Sequence, residues 1–321
     1  MRKVFTKFLA FSVFAACLLL PASAGYSQVK LRDAVDLDGN DRADYMVFRP
    51  ENNVWYVLND QGFTFQQFGI ANLDYVTPGD FDGDGKGDIA VWRDENGVWY
   101  WLKSSDGTLS TAQFGVTGDE PVARDYDGDG KTDLGVVRRS GGSMTWYVLR
   151  SSDQGFSAVQ FGVAGDYTAP GDYDGDGKFD FAVQRPGPTD GSQATFFILR
   201  STDGGLTAVP WGISTDMVVP GDYDGDGKTD IAIVREGATA QDNLVWYILQ
   251  SSDFSFRAVS FGITGMDLNV QNDYDGDGMT DLAIWRNDEG TFYVLKSTDG
   301  GLNGVQWGSP GDFPVASYDT H

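Results

Sequence analysis

Beyond its first two dozen residues the chain alternates short apolar runs with polar, glycine-rich turns, and no 3.6-residue apolar period appears there. Runs such as Ile89-Ala90-Val91-Trp92-Arg93 and Trp99-Tyr100-Trp101-Leu102 are β-branched and aromatic, which predicts strands. The first kind of run has its own internal pattern. Its first and third positions are large (Ile89 and Val91, Leu134 and Val136, Ile231 and Ile233), and its second is mostly small (Ala90, Gly135, Ala182, Ala232, Ala283). Such a strand is buried on both faces, bulky toward one neighbouring sheet and closely approached by the other.

The runs recur with a fixed grammar. Six acidic loops begin at Asp36, Asp80, Asp125, Asp172, Asp222 and Asp273, at steps of 44, 45, 47, 50 and 51 residues. Each loop leads into the bulky-small-bulky strand and a polar turn. An aromatic strand follows: Trp99 to Leu102, Trp146 to Leu149, Phe196 to Leu199, Trp246 to Leu249 or Phe292 to Leu295. A Ser-Ser-Asp or Ser-Thr-Asp turn follows, as at Ser104 to Asp106. A third strand ends in an aromatic-glycine pair: Phe68-Gly69, Phe114-Gly115, Phe161-Gly162, Trp211-Gly212, Phe261-Gly262, Trp307-Gly308. A fourth, such as Pro121-Val122-Ala123, enters the next loop. Four short strands per unit of this length predict an all-β propeller of six four-stranded blades. The tail Asp312 to Tyr318 matches the strand before a loop, with no loop after it. Residues 29 to 35 could fill the same place, so either terminus could close the ring.

The loops carry the chemistry. Asp125-Tyr126-Asp127-Gly128-Asp129-Gly130-Lys131-Thr132-Asp133 reads D-x-D-x-D-G-x-x-D. Calcium takes six to eight hard oxygens in a flexible shell. Alternate aspartates in a tight turn can supply them, with the Lys131 carbonyl adding one and Asp133 closing the shell. The set recurs at Asp80, Asp82, Asp84, Asp88; at Asp172, Asp174, Asp176, Asp180; at Asp222, Asp224, Asp226, Asp230; and at Asp273, Asp275, Asp277, Asp281. The first loop has Asp36, Asp38, Asn40 and Asp44, with Asp41 in the glycine position, so up to six calcium ions are expected with the first site weaker or empty. Without a cation, four carboxylates within nine residues repel one another. Magnesium prefers a stricter octahedron with fewer protein ligands, and a His- or Cys-ligated transition metal has no donors outside Cys17 and His321.

Charge and targeting complete the picture. Arg2, Lys3 and Lys7, the apolar stretch Phe8 to Leu20, and Ala22-Ser23-Ala24 form an export-signal pattern. The apolar stretch is too short to span a membrane. Residues 1–24 are therefore expected to be a cleaved signal peptide and 25–321 a single propeller domain, secreted, extracellular or in the cell envelope. Cys17, the only cysteine, lies in the signal in a poor lipoprotein box, so neither a disulfide nor a lipid anchor is expected. The net charge of -24 becomes -27 when the signal's three cations are removed, which excludes nucleic acid and anionic membranes as partners.

The aromatic-glycine pair, the short gap and the D-x-D-x-D-G-x-x-D loop with its Ile-Ala-Val type strand resemble the FG-GAP and VCBS-type repeats of bacterial exported proteins. More distantly they resemble the integrin α-subunit propeller. The resemblance runs over about residues 29 to 318. It implies a calcium-stabilised binding or adhesion module for a cell-surface or extracellular glycan or protein, not an enzyme. The alternatives are a calcium-dependent, lyase-like polysaccharide enzyme and a purely structural envelope or matrix component. The Gly-Ala-Pro of FG-GAP repeats is absent. An arginine replaces it in every unit: Arg49, Arg93, Arg138, Arg185, Arg235 and Arg286. A copy in every blade points to architecture, each arginine pairing with a turn carboxylate. Loop length is the one asymmetry: 6 residues from arginine to aromatic strand in repeats one, two and six, 8 in three, and 11 in four and five. This predicts a raised rim near Asp190, Gln193, Gln241 and Asp242, opposite the acidic loops.

Overall fold

The computed structural model describes residues 34–316. The signal-peptide expectation, Cys17 and His321 lie outside the described residues. Six four-stranded antiparallel sheets follow one another along the chain, one per repeat. In blade two they are an inner strand (Asp74–Val76), a second (Ile89–Arg93), a third (Val98–Leu102) and an outer strand (Leu109–Gln113). The third strand pairs with the second and outer strands in simple hairpin register. Among the described residues no helix is long and apolar enough to cross a membrane.

The ring closes through the C-terminal segment. Phe313–Pro314 pairs with Tyr45–Arg49 as the inner strand of blade one, placing Phe313 opposite Phe48 and Pro314 opposite Val47. Val315 N then donates to Met46 O at 2.9 Å, as Val122 N does to Gly135 O in blade three. This decides between the two termini.

The second strands are buried throughout their centres, as their apolar pattern requires. Ala90, Val91 and Trp92, or Ala232, Ile233 and Val234, are each almost fully shielded. The aromatic strands bury Trp55, Trp99, Trp146, Phe196, Trp246 and Phe292 completely between blades. Their indoles explain the aromatic-glycine pair. Nε1 of Trp55, Trp99, Trp146 and Trp246 donates to the carbonyl of the pair's aromatic residue, at 2.9 to 3.1 Å. The outer strands form the rim: in blades two, three, four and six exposed and half-buried positions alternate, and in blade one every position is exposed.

Candidate metal centres

Each acidic loop runs directly into the second strand of its blade, and in blades two to six it follows that blade's inner strand. The loop backbone itself aims the first carboxylate. Asp80 Oδ1 accepts from Gly83 N at 2.6 Å and Oδ2 from Gly85 N at 2.9 Å. Asp125, Asp172, Asp222 and Asp273 repeat this pair of bonds. Gly85 makes it feasible by taking φ +81°, a left-handed conformation that suits glycine. In loop one Asp41 occupies the same conformation at φ +65°, so that loop keeps its shape at some steric cost.

The ninth carboxylate lies beneath the loop. Asp88 accepts from Phe81 N on Oδ2 at 3.0 Å and from Ser104 N on Oδ1 at 2.7 Å. Asp133, Asp180, Asp230 and Asp281 do the same with their own residues. Asp82, at the third position, has Oδ2 held by Ser105 Oγ at 2.5 Å. Its Oδ1 is shielded from solvent with no partner, as are Oδ1 of Asp174 and Asp275 and both carboxylate oxygens of Asp38. A shielded carboxylate oxygen without a donor is costly, and a cation removes that cost.

The structure thus brings together positions one, three and nine. Carboxylate oxygens of Asp36, Asp38 and Asp44 lie within 4.8 Å of one another. The same holds for Asp80, Asp82, Asp88; Asp125, Asp127, Asp133; Asp172, Asp174, Asp180; and Asp222, Asp224, Asp230, with one further group of this kind. Position five stands apart from these groups. Asp84, Asp129, Asp176, Asp226 and Asp277 each accept from the backbone N–H two residues on. Asn40 does likewise with Arg42 N.

Crowding and burial leave a clear electrostatic mark. Desolvation pushes the carboxyls of Asp44, Asp133, Asp180 and Asp230 up to about 7, with neighbouring loop carboxylates adding and backbone N–H donors opposing. The same cause raises Asp88, Asp125, Asp172 and Asp281 to about 6. Asp80 and Asp222 are also raised, first by burial. The donor set is all oxygen and matches a hard divalent cation.

Two supporting features were not legible as such in the sequence. The first is the Ser-Ser-Asp turn, which reads as a plain turn but clamps the loop. Ser104 Oγ donates to Asp84, Ser152 Oγ to Asp127, Thr202 Oγ1 to Asp174, Ser252 Oγ to Asp224 and Thr298 Oγ1 to Asp275. The available signal was the hydroxyl pair itself, present in repeats two to six and replaced by Asn59-Asp60 in repeat one. There the third strand ends at Asn59 and the outer strand starts at Gly62, beside a cleft of about 370 Å³ lined in part by Asp44, Asp60 and Lys296.

The second is a ladder between loops. The eighth-position N–H of each loop donates to the first-position carbonyl of the preceding one: Gly87 to Asp36, Thr132 to Asp80, Phe179 to Asp125, Thr229 to Asp172, Thr280 to Asp222 and Ala43 to Asp273, at 2.6 to 2.9 Å. The seventh-position side chain lies over the preceding loop's glycine. Lys131 covers Gly83 and donates Nζ to Asp82 O at 3.0 Å. The six loops form one closed belt.

The repeated arginines hold the opposite face. Arg93 Nε and Nη2 grip Asp74 at 2.6 and 2.9 Å, and the guanidinium lies 4.9 Å from the Tyr100 ring centre. Arg49–Asp312, Arg138–Asp119, Arg185–Asp166, Arg235–Asp216 and Arg286–Asp267 repeat the clasp. The structural reading of these arginines is borne out. Their partners were missed, although an aspartate four or five residues beyond each aromatic-glycine pair was the signal. The long loops of blades four and five fold back on this face. Ser214 N donates to Ser192 O and Thr264 N to Asp242 O, with Asp190 and Gln241 exposed.

The FG-GAP-like repeat family model matches residues 36–91, 80–136 and 125–183. No curated protein matches the chain. Among solved structures the chain is similar to TolB from Acinetobacter baumannii, at 15% identity and TM-score 0.55 over 85% of this chain; it spans 63% of the TolB chain. A triple arginine mutant of AofleA from Arthrobotrys oligospora is similar at 9% identity and TM-score 0.52, over 89% of this chain and 91% of that one. At these identities the likenesses concern the fold alone.

Proposed function

We propose that this chain, an FG-GAP-repeat β-propeller, is an exported binding or adhesion module whose blades are tied together by calcium. The observation that carries the reading is the repeated triad of carboxylates at positions one, three and nine, with a buried, unpartnered oxygen at the third position in four loops, on Asp38, Asp82, Asp174 and Asp275. Those three aspartates would hold the ion in each loop. Position five, as in Asp84, and the seventh-position carbonyl lie on the same short turn as further donors. A bound cation supplies positive charge to the belt and cross-links the two ends of each loop. The rest is done by the chain: Gly85-type turns aim the first carboxylate, Ser-Ser and Ser-Thr turns orient the third, and the belt links blade to blade.

The binding role is supported by contrast between the faces. The acidic face is nearly the same six times over, whereas the clasp face varies in loop length. Recognition concentrates where a rigid scaffold carries variable loops. The partner is an extracellular glycan or protein, since the charge of -24 repels nucleic acid and anionic lipid. A glycan array probed in calcium and again in chelator tests this. Saturable, calcium-dependent retention of one glycan class is expected for a glycan-binding module. No retention by folded protein in calcium, with nothing captured from native envelope, would leave a structural role. Turnover of a bound polysaccharide would make it an enzyme.

A further inference from the structure

In every blade the residue after the clasped aspartate sits on the inner strand: Tyr75, Glu120, Tyr167, Met217, Leu268 and Phe313. Five of the six are large and apolar, and all five are exposed, by 37% at Met217 to 51% at Tyr167. The fold gains nothing from wetting these side chains, and two of them, Tyr75 and Phe313, stand together at one opening.

Behind them a cavity of about 390 Å³ runs along the inner strands of four adjacent blades. Its clasp-face end is lined by Asn72, Leu73, Tyr75, Asp94, Glu120 and Phe313. Its walls include Val76, Pro121, Ala123 and Pro314, and Arg124 lies toward the acidic-loop end. Thr77 Oγ1 is buried on this wall without a hydrogen-bond partner. Glu120 is committed: Arg139 pairs with Oε2, and Thr168 Oγ1 donates to Oε1 at 2.6 Å. Asp94 uses Oδ1 for Gly118 N at 2.7 Å.

This lining is selective. Its size falls within the ~300–1,000 Å³ of small-molecule sites. Two aromatic rings at the mouth suit a ligand with a flat C–H face. The Asn72 amide and the Asp94 carboxylate suit a ligand that also carries hydroxyls. The acidic molecule disfavours an anion. We propose that the axial cavity binds the end of a neutral saccharide, a ring face against Tyr75 and Phe313 and its hydroxyls toward Asn72 and Asp94. This rests on the binding-module reading above and gives it a site.

The test is calorimetric titration of the full propeller, in calcium, with cello-, xylo-, manno- and maltotetraose, and with tetragalacturonate as anionic counterpart. One neutral tetraose should bind saturably. Tyr75→Ala should weaken it by about tenfold, the worth of one lost aromatic contact. Asn72→Gly, which suits the left-handed conformation at φ +64°, should weaken it about fivefold, the worth of one hydrogen bond. Melting temperature should not move in the glycine variant. Undiminished binding in both variants would overturn the axial site and leave the binding module standing. Preference for tetragalacturonate would overturn the neutral class. If none of the sugars binds, the saccharide proposal fails, and a glycan partner on the array would then have to lie elsewhere on the surface.

Discussion

Removing one arginine clasp should cost more from the arginine side than from the aspartate side. The Arg286–Asp267 pair is the most shielded: Asp267 is 0% and Arg286 17% exposed at the side chain. Arg286 Nε and Nη2 bond the carboxylate at 2.7 and 2.9 Å, and Ile263 N adds 2.7 Å. Arg286→Met keeps the packing on Tyr293 but strands a buried carboxylate with one backbone donor. Breaking a buried pair in this way costs about 3–5 kcal/mol. Asp267→Ala frees Arg286 to turn toward Glu289, 3.5 Å away, and water. What remains is the Ile263 N–H without its acceptor, about 1–3 kcal/mol. The double variant should be less destabilised than Arg286→Met alone, because the stranded charge is gone. Urea unfolding in saturating calcium measures all three. A loss below about 1 kcal/mol for Arg286→Met, or simple additivity, would refute the clasp as a coupled buried pair.

Other expectations follow from the loops. In chelator, the ninth-position carboxyls raised to about 6 or 7 make the ion-free fold prefer their protonated form. Because folded values lie above unfolded ones, that stability is full below about pH 4 and lost as pH rises through 7, so chelated protein should melt higher at pH 5 than at pH 8. Gly83→Ala should destabilise by about 1–2 kcal/mol: its φ is +80° and a Cβ would lie 2.4 Å from Lys131 Cε. Adding Lys131→Ala should recover part of that loss in the same melt. Shortening the loops after Arg185 and Arg235 to the six-residue form of repeat two should weaken binding of the partner found on the array, with the melting temperature unchanged.

The blades were legible because a strand buried on both faces leaves a dense local pattern. Ile89-Ala90-Val91-Trp92 and its counterparts state both the element and the closeness of the neighbouring blade. The loops were legible for the same local reason, since nine residues hold all the aspartates. What was hidden depends on contacts across the chain. Nothing near Arg49 announces Asp312, and the closing strand is chosen by pairing between Phe48 and Phe313, 265 residues apart. The belt is a contact between successive repeats, such as Thr132 N to Asp80 O, that no single repeat contains. Position five reads as a ligand from alternation alone, while the turn gives Asp84 a backbone partner of its own in Lys86 N.

Whether cations in the acidic loops hold the blades together is read from thermal unfolding in calcium against chelator. A site at a hundredfold excess over its Kd adds about 2.7 kcal/mol, so five such sites would add roughly 13 kcal/mol. The melting temperature should be at least about 20 °C higher in calcium than in chelator, with Asp88→Asn and Asp133→Asn each removing part of that gain. Coincident melting curves in calcium and in chelator would contradict it.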